Sequence, residues 1–261
     1  MLLYSLLHLT GYALPLDELK RFRQWGSKTP GHPERSHETP GVEVSTGPVG
    51  QGFGNGAGMA IAEAWLAARY NRAGFAIIDH RTYPIVSDGD LMEGVAYEAA
   101  SLAGHLRLGK LIALYDRNHI TLAGGADRTF TEDVAARFAA LGWHTRHVAG
   151  GNDTGEVIRA LDEARAETGH PSLILVATQI GHGSPGKQGS FEAHGTPLGV
   201  EEVAATKRNL GWPSTEPFVL PERAVRHFCE AIPRGEHAQA EWQRRFDAWA
   251  QAFPILAEEW R

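Results

Sequence analysis

The sequence has almost no cysteine. Cys229 is the single one among 261 residues, which excludes an intrachain disulfide and a thiolate zinc cluster. Such sparing use suits a reducing compartment, and the expected location is the cytoplasm. A basic block is also missing. Lys and Arg number 25 against 31 Asp and Glu, for a net charge of −6, which argues against a nucleic-acid partner. No apolar run is long. The opening M-L-L-Y-S-L-L-H-L-T-G-Y is too short to span a membrane. It also lacks the basic lead-in and A-x-A site of a signal peptide. Internal repeats and low-complexity tracts are absent as well.

What the chain has is an ordinary globular composition, 43% hydrophobic and 21% charged. Its length fits one large domain or two small ones, at roughly 100–200 residues per domain. Glycine (30) and histidine (13) are plentiful. Histidine titrates near neutral pH, so this count is the first hint of site chemistry. Met1 opens directly into an apolar helical pattern without a polar lead-in, which reads as a chain that begins inside a domain.

Two short helices are expected over residues 1–23, broken at Thr10-Gly11. Residues 26–48 form a long loop rich in Pro, Gly and His, the kind that inside a compact domain is usually functional or disordered. From residue 75 onward, short apolar runs alternate with helical patterns. Strands are expected at 75–78, 83–86, 111–115, 143–148 and 172–177, and helices at 92–106, 133–141, 154–168 and 200–210. This pattern predicts an α/β fold: a doubly wound, mainly parallel sheet with helices on both faces. Residues 181–199 form a second long loop, and residues 213–221 read as a proline-rich linker. Residues 222–261 read as a C-terminal helical arm. The expected division is therefore an α/β domain over 1–212, incomplete at its start, followed by linker and arm.

Ligands of such folds sit at the carboxyl ends of strands. Asp88, in I-V-S-D-G-D-L-M-E-G, falls just past one strand, and Asn118, in L-Y-D-R-N-H-I, falls just past another. They are 30 residues apart, one β-α-β step, so the side chains can converge on one sheet edge. A carboxylate and an amide oxygen are hard donors suited to Mg²⁺ or Ca²⁺, and the Ile120 carbonyl can add a third. Gly89 leaves room for a phosphate. The run Gly50-Gln51-Gly52-Phe53-Gly54-Asn55-Gly56 invites a dinucleotide reading, but no strand precedes it; it reads as a helix start. Trp242, Phe246 and Trp249 recur at helical spacing and read as core or interface.

The Asp-Gly and Asn pair resembles the thiamine diphosphate motif. More narrowly, Y-S-L-L-H-L-T-G-Y, S-K-T-P-G-H-P-E, T-G-P-V-G-Q-G, S-D-G-D-L-M-E-G, S-L-A-G-H-L-R-L-G-K-L-I-A-L-Y-D and S-F-E-A-H-G-T-P-L-G are all similar to transketolase, in that family's order. The resemblance spans nearly the whole chain. It implies the thiamine diphosphate-binding fold and transfer of a two-carbon ketol unit between sugar phosphates, with the cofactor as electron sink. It also implies roles. Asp88, Asn118 and the Ile120 carbonyl would hold Mg²⁺ (or Ca²⁺). Gly47 and Gly89 would lie against the thiamine diphosphate, and Val49 near its thiazolium. His32 and His194 would contact the donor sugar or the diphosphate as catalytic residues. Glu93 would join a carboxylate network at a dimer interface.

Two positions depart from the family pattern. Ser87 stands in place of the motif's first glycine, and His119 stands where glycine is common, beside Asn118. A backbone with positive φ at His119 would strain the histidine. By the same resemblance, the glutamate that activates the aminopyrimidine lies in a later domain. The expected partners are therefore sugar phosphates, a pyrimidine-domain polypeptide or full-length homologue, and a second copy of this chain. The competing expectation is a non-catalytic or truncated thiamine diphosphate-domain homologue acting as an interaction module.

Overall fold

The computed structural model describes residues 1–35 and 39–261. The chain forms two compact units. One comprises Pro48–Ala62 and His80–Pro217; the other comprises Met1–Gly47, Glu63–Asp79 and Phe218–Arg261. In chain order the elements are α1 (Leu2–Leu9), α2 (Leu16–Lys20), α3 (Gln51–Tyr70), β1 (Ile85–Ser87), α4 (Asp88–Met92), α5 (Gly94–His105), β2 (Ile112–Arg117), β3 (Ile120–Thr121), β4 (Gly124–Gly125), α6 (Val134–Ala140), β5 (His144–Val148), α7 (Thr154–Ala166), β6 (Ser172–Ala177), α8 (Val200–Asn209), α9 (Glu222–Cys229), α10 (Ala231–Ala252) and α11 (Pro254–Trp260).

The first unit holds a four-stranded sheet in the order β1-β2-β6-β5, parallel throughout. Successive strand residues point to opposite faces, and the two cores follow from that alternation. Ala113, Tyr115, Leu173 and Leu175 pack with Phe53, Ala100, Phe138 and Trp143, on the face covered by α5 and α6. Ile112, Ile174, Val176 and Val148 pack with Ala160 and Ala164 of α7 on the other face. Both faces are covered, so the strands are apolar without a polar side. The change of face has a topological cause. The path β1 to β2 to β5 runs one way across the sheet, and β5 to β6 steps back. A right-handed crossover in the reverse direction puts its helix on the opposite face.

Local signals place the helices. The Asp133 carboxylate accepts the Ala136 N–H and starts α6, and Asp153 accepts the N–H groups of Gly155 and Glu156 and starts α7. Trp143 donates its Nε1–H to the Ala100 carbonyl at 2.8 Å, fixing β5 to α5. Small residues on α5 allow this close approach: Ala96, Ala100 and Ala103 are fully buried.

The second unit has two cores. Tyr4, Leu7, Leu14, Leu19 and Val42 form one. Tyr70, Ile77, Ile78, Trp249 and Ala257 form the other, with Phe246 against it. Indole N–H groups of Trp242 and Trp249 bond to the carbonyls of Ile77 and Tyr70 at 2.8 and 2.9 Å. The aromatic spacing on α10 is thus that of a packed core. The stretch 222–261 folds as α9, α10 and α11 and groups with the earlier segments of this unit.

Three expectations need correction. Residues 75–78 are not a strand. The Asn71 side chain accepts the N–H groups of Ile77 and Ile78, both at 2.9 Å, and so takes donors that a neighbouring strand would otherwise use. The expected strand at 83–86 is β1, shifted to Ile85–Ser87. The helix expected at 92–106 divides at Glu93, whose extended ψ of 134° separates α4 from α5. The loop of residues 26–48 holds no helix or strand among its described residues; 36–38 lie outside the description.

Gly104 tests the tight packing of this first unit. A Cβ there would lie 1.9 Å from the Leu141 carbonyl oxygen. Gly104→Ala is expected to cost about 2 kcal/mol, the overpacking penalty exceeding alanine's helix preference. Denaturant unfolding measures it, and an unchanged midpoint would contradict the packing described.

Candidate functional site at the ends of β1 and β2

Asp88 and Asn118 leave the sheet side by side. The β1–β2 register pairs Ser87 with Asp116, so each candidate ligand sits just beyond a strand end on neighbouring strands. Asp88 is only 2% exposed. Its Oδ1 accepts the Tyr115 hydroxyl at 2.6 Å, and its Oδ2 accepts the His119 N–H at 3.1 Å. Burial first, and then the bond to Asp88, push the Tyr115 hydroxyl well above the ordinary phenol range. It therefore stays protonated and donates.

Asn118 is held by its neighbours. Its Oδ1 accepts the Ile120 N–H at 2.9 Å, closing a local turn of the kind that Asn favours. Its amide lies 3.4 Å from Asp116 Oδ2, and Asp116 Oδ1 accepts the Thr178 hydroxyl from the end of β6. A two-stranded hairpin of β3 and β4 comes next, with Ile120 opposite Gly125. Asp88, Tyr115, Arg117, His119, Asp127 and His147 line part of a cavity of about 490 Å³.

The two departures from the motif resolve differently. Ser87 has φ −125°, extended backbone that any residue adopts. Asp90 Oδ2 accepts both its N–H (2.8 Å) and its hydroxyl (3.0 Å), while Asp90 Oδ1 accepts the Gly50 N–H at 2.9 Å. Serine therefore fits here. His119 has φ +62°, the left-handed region, where a residue with a Cβ carries strain.

Other candidates fall into small groups. A Cβ on Gly89 would lie 3.7 Å from Val49 Cγ1, so these two adjoin at the β1–α4 turn. Gly50, at φ +78°, seats Glu93: a side chain there would come within 2.7 Å of the Glu93 Cβ. In the other unit, Gly47 has φ +135° and faces the His32 ring, which any Cβ would strike at 2.4 Å. His194 lies exposed after a short helical turn, its N–H bonded to the Phe191 carbonyl at 2.9 Å. Its loop is anchored further along: Glu202 accepts the Ser184 hydroxyl and the Gly186 N–H, which hold its carboxyl below the usual range.

Sequence reasoning missed Tyr115, Asp90, Asp116 and Thr178. Tyr115 and Asp116 stand inside the L-Y-D-R-N run, where period-two alternation already separates them onto opposite faces. No local signal points to Thr178.

A divalent cation fits the residues present. The donors that hold the buried Asp88 carboxylate are a phenol and a backbone N–H, both neutral, so the arrangement leaves a place for a cation beside it. Among the described residues no group of three or more His, Cys, Asp or Glu could hold a metal. A site here would combine the Asp88 carboxylate with amide and carbonyl oxygens.

Fold and site thus define a parallel α/β domain that presents hard oxygen donors at its strand ends. The chain belongs to the family of the transketolase thiamine diphosphate binding domain, which matches residues 1–261. The transketolase of Geobacillus stearothermophilus is 54% identical over 260 residues, covering 99% of this chain and 39% of that protein. The chloroplastic transketolase-1 of Arabidopsis thaliana is 51% identical over 261 residues, covering 99% and 35%. Among solved structures, transketolase from Pichia stipitis in complex with sedoheptulose 7-phosphate superposes with a TM-score of 0.95 at 44% identity, covering 99% of this chain and 38% of that one. The chain therefore spans about two fifths of these relatives' length. Among the described residues, no helix is long and apolar enough to cross a membrane.

The strain at His119 is measurable. His119→Gly is expected to raise stability by about 0.5–1 kcal/mol, the left-handed penalty outweighing glycine's extra chain entropy. Thermal and denaturant unfolding read this out, and a destabilised variant would contradict it.

Proposed function

We propose that this chain supplies the metal- and diphosphate-binding half of a transketolase-type site, for transfer of a two-carbon ketol unit between sugar phosphates. The observation that carries this reading is the convergence of Asp88 and Asn118 at the ends of two adjacent parallel strands, in a chain of this family. In this reading Asp88, Asn118 and the Ile120 carbonyl hold Mg²⁺ (or Ca²⁺), which prefers to complete its shell with phosphate oxygens and water. When bound, thiamine diphosphate supplies the electron sink for cleaving a carbon–carbon bond beside a carbonyl.

The chain's own residues then bind and orient. Gly89 leaves space beside Val49 for the diphosphate. His32 and His194 donate to sugar hydroxyls or phosphate oxygens as the catalytic histidines of this reading. Glu93, an exposed carboxylate at the start of α5, belongs to a contact between two copies. Activation of the aminopyrimidine falls to a pyrimidine-domain polypeptide or a full-length homologue, and the proposed location is the cytoplasm.

Calorimetric titration of the chain with thiamine diphosphate, with and without Mg²⁺, tests the reading. Binding is expected to require the metal and to weaken at least about 100-fold in Asp88→Ala, since that change removes a charged ligand outright. Metal-independent binding, or Asp88→Ala binding as tightly as wild type, would overturn it.

A further inference from the structure

Tyr115 and Asp88 form a pair that the proposed chemistry does not yet use. Tyr115 lies on β2, 2% exposed, in the core against Val86, Leu91 and Leu175. Its ring is fixed by packing, yet it places one polar atom at the sheet edge, 2.6 Å from Asp88 Oδ1. A phenylalanine would fill the same space. The hydroxyl's contact with Asp88 is therefore what distinguishes tyrosine here. The other carboxylate oxygen is bound by the N–H of His119, the residue held at φ +62°. Two donors from the same stretch of chain, one on the rigid strand β2 and one on the turn just beyond it, thus fix the plane of a single buried carboxylate.

We infer that Tyr115 is a positioning residue for the metal site: its hydroxyl locks Asp88 into the one orientation in which the carboxylate can ligate a divalent cation together with Asn118. The inference rests on the proposed function, in which Asp88 holds the metal. The physical reason is ligand preorganisation. A free carboxylate rotates about its terminal bond, and Mg²⁺ tolerates little departure from octahedral geometry. Groups that hydrogen-bond to metal ligands set ligand orientation, and their removal commonly weakens metal binding by about 10–100-fold. Asp116 and Thr178 do for Asn118 what Tyr115 does for Asp88: the Thr178 hydroxyl bonds to Asp116, which faces the Asn118 amide. Each of the two side-chain ligands thus has its own support, anchored on β2 in one case and across β2 and β6 in the other.

The test is Mn²⁺ binding to the full chain with saturating thiamine diphosphate, followed by the electron paramagnetic resonance of free Mn²⁺. Wild type, Tyr115→Phe and Asp88→Ala are compared, with a melting curve for each. Tyr115→Phe is expected to bind Mn²⁺ about 10-fold more weakly while still folded. A purely structural tyrosine would lower the melting temperature and leave Mn²⁺ affinity unchanged, and that result overturns the inference while wild-type binding and its loss in Asp88→Ala uphold the site. If wild type and Asp88→Ala bind Mn²⁺ alike, the metal-site reading itself fails and the inference falls with it. Should Tyr115→Phe not fold, 3-fluorotyrosine at position 115 keeps ring and hydroxyl. Its fluorine resonance is expected to shift when Mg²⁺ and thiamine diphosphate are added, and a resonance unmoved at saturation overturns the inference.

Discussion

The pairing of β1 with β2 governs everything built at this site. Those strands run parallel in a register that puts Ser87 opposite Asp116, so the residues just past β1 emerge beside those just past β2. Parallel neighbours deliver their carboxyl ends to the same edge, a property that antiparallel hairpins lack. Asp88 and Asn118 are thereby juxtaposed by backbone hydrogen bonds and not by their own attraction. That matters energetically, because a buried carboxylate costs several kcal/mol unless donors or a cation compensate it. The sheet bears that cost because both its faces are packed. Residues such as Ala113 and Leu173 on one face, and Ile112 and Ile174 on the other, are almost wholly removed from water.

The backbone around the site is correspondingly specialised. Gly50 and His119 both adopt positive φ, and each does so where a neighbour is brought close: Glu93 in the first case and Asp88 in the second. Asp90 ties the β1–α4 turn to the start of α3 through Ser87 and Gly50. Serine in the motif's first position is therefore not a defect in this chain. Its backbone needs no glycine, and its hydroxyl adds a bond to the carboxylate that already caps the turn.

Much of this was legible in the residues themselves. The buried strands announce themselves as continuous apolar runs, since both sheet faces are covered: the expected bounds match β6, fall within one residue for β5 and end two residues short for β2. Asp88 and Asn118 stood out because strand ends are where chemistry collects in such sheets. Other features were hidden for physical reasons. Residues 75–78 look like a strand, but the Asn71 side chain captures their N–H groups, a tertiary choice that no periodicity encodes. The β3–β4 hairpin is too short to carry a pattern. Thr178 was invisible because its partner, Asp116, lies far away in sequence and meets it only through β2–β6 pairing. Local preference writes the elements, and the supports of a ligand come from whichever strand the topology puts next to it.

The central claim is that Asp88, Asn118 and the Ile120 carbonyl share one divalent cation. Crystals of the chain grown with thiamine diphosphate and Mn²⁺, measured at the manganese absorption edge, test it directly. The account predicts one anomalous peak within about 2.0–2.3 Å of the Asp88 carboxylate and Asn118 Oδ1, with phosphate oxygens completing the shell. A bound cofactor whose metal lies elsewhere, with Asp88 still held only by Tyr115 and His119, would contradict it.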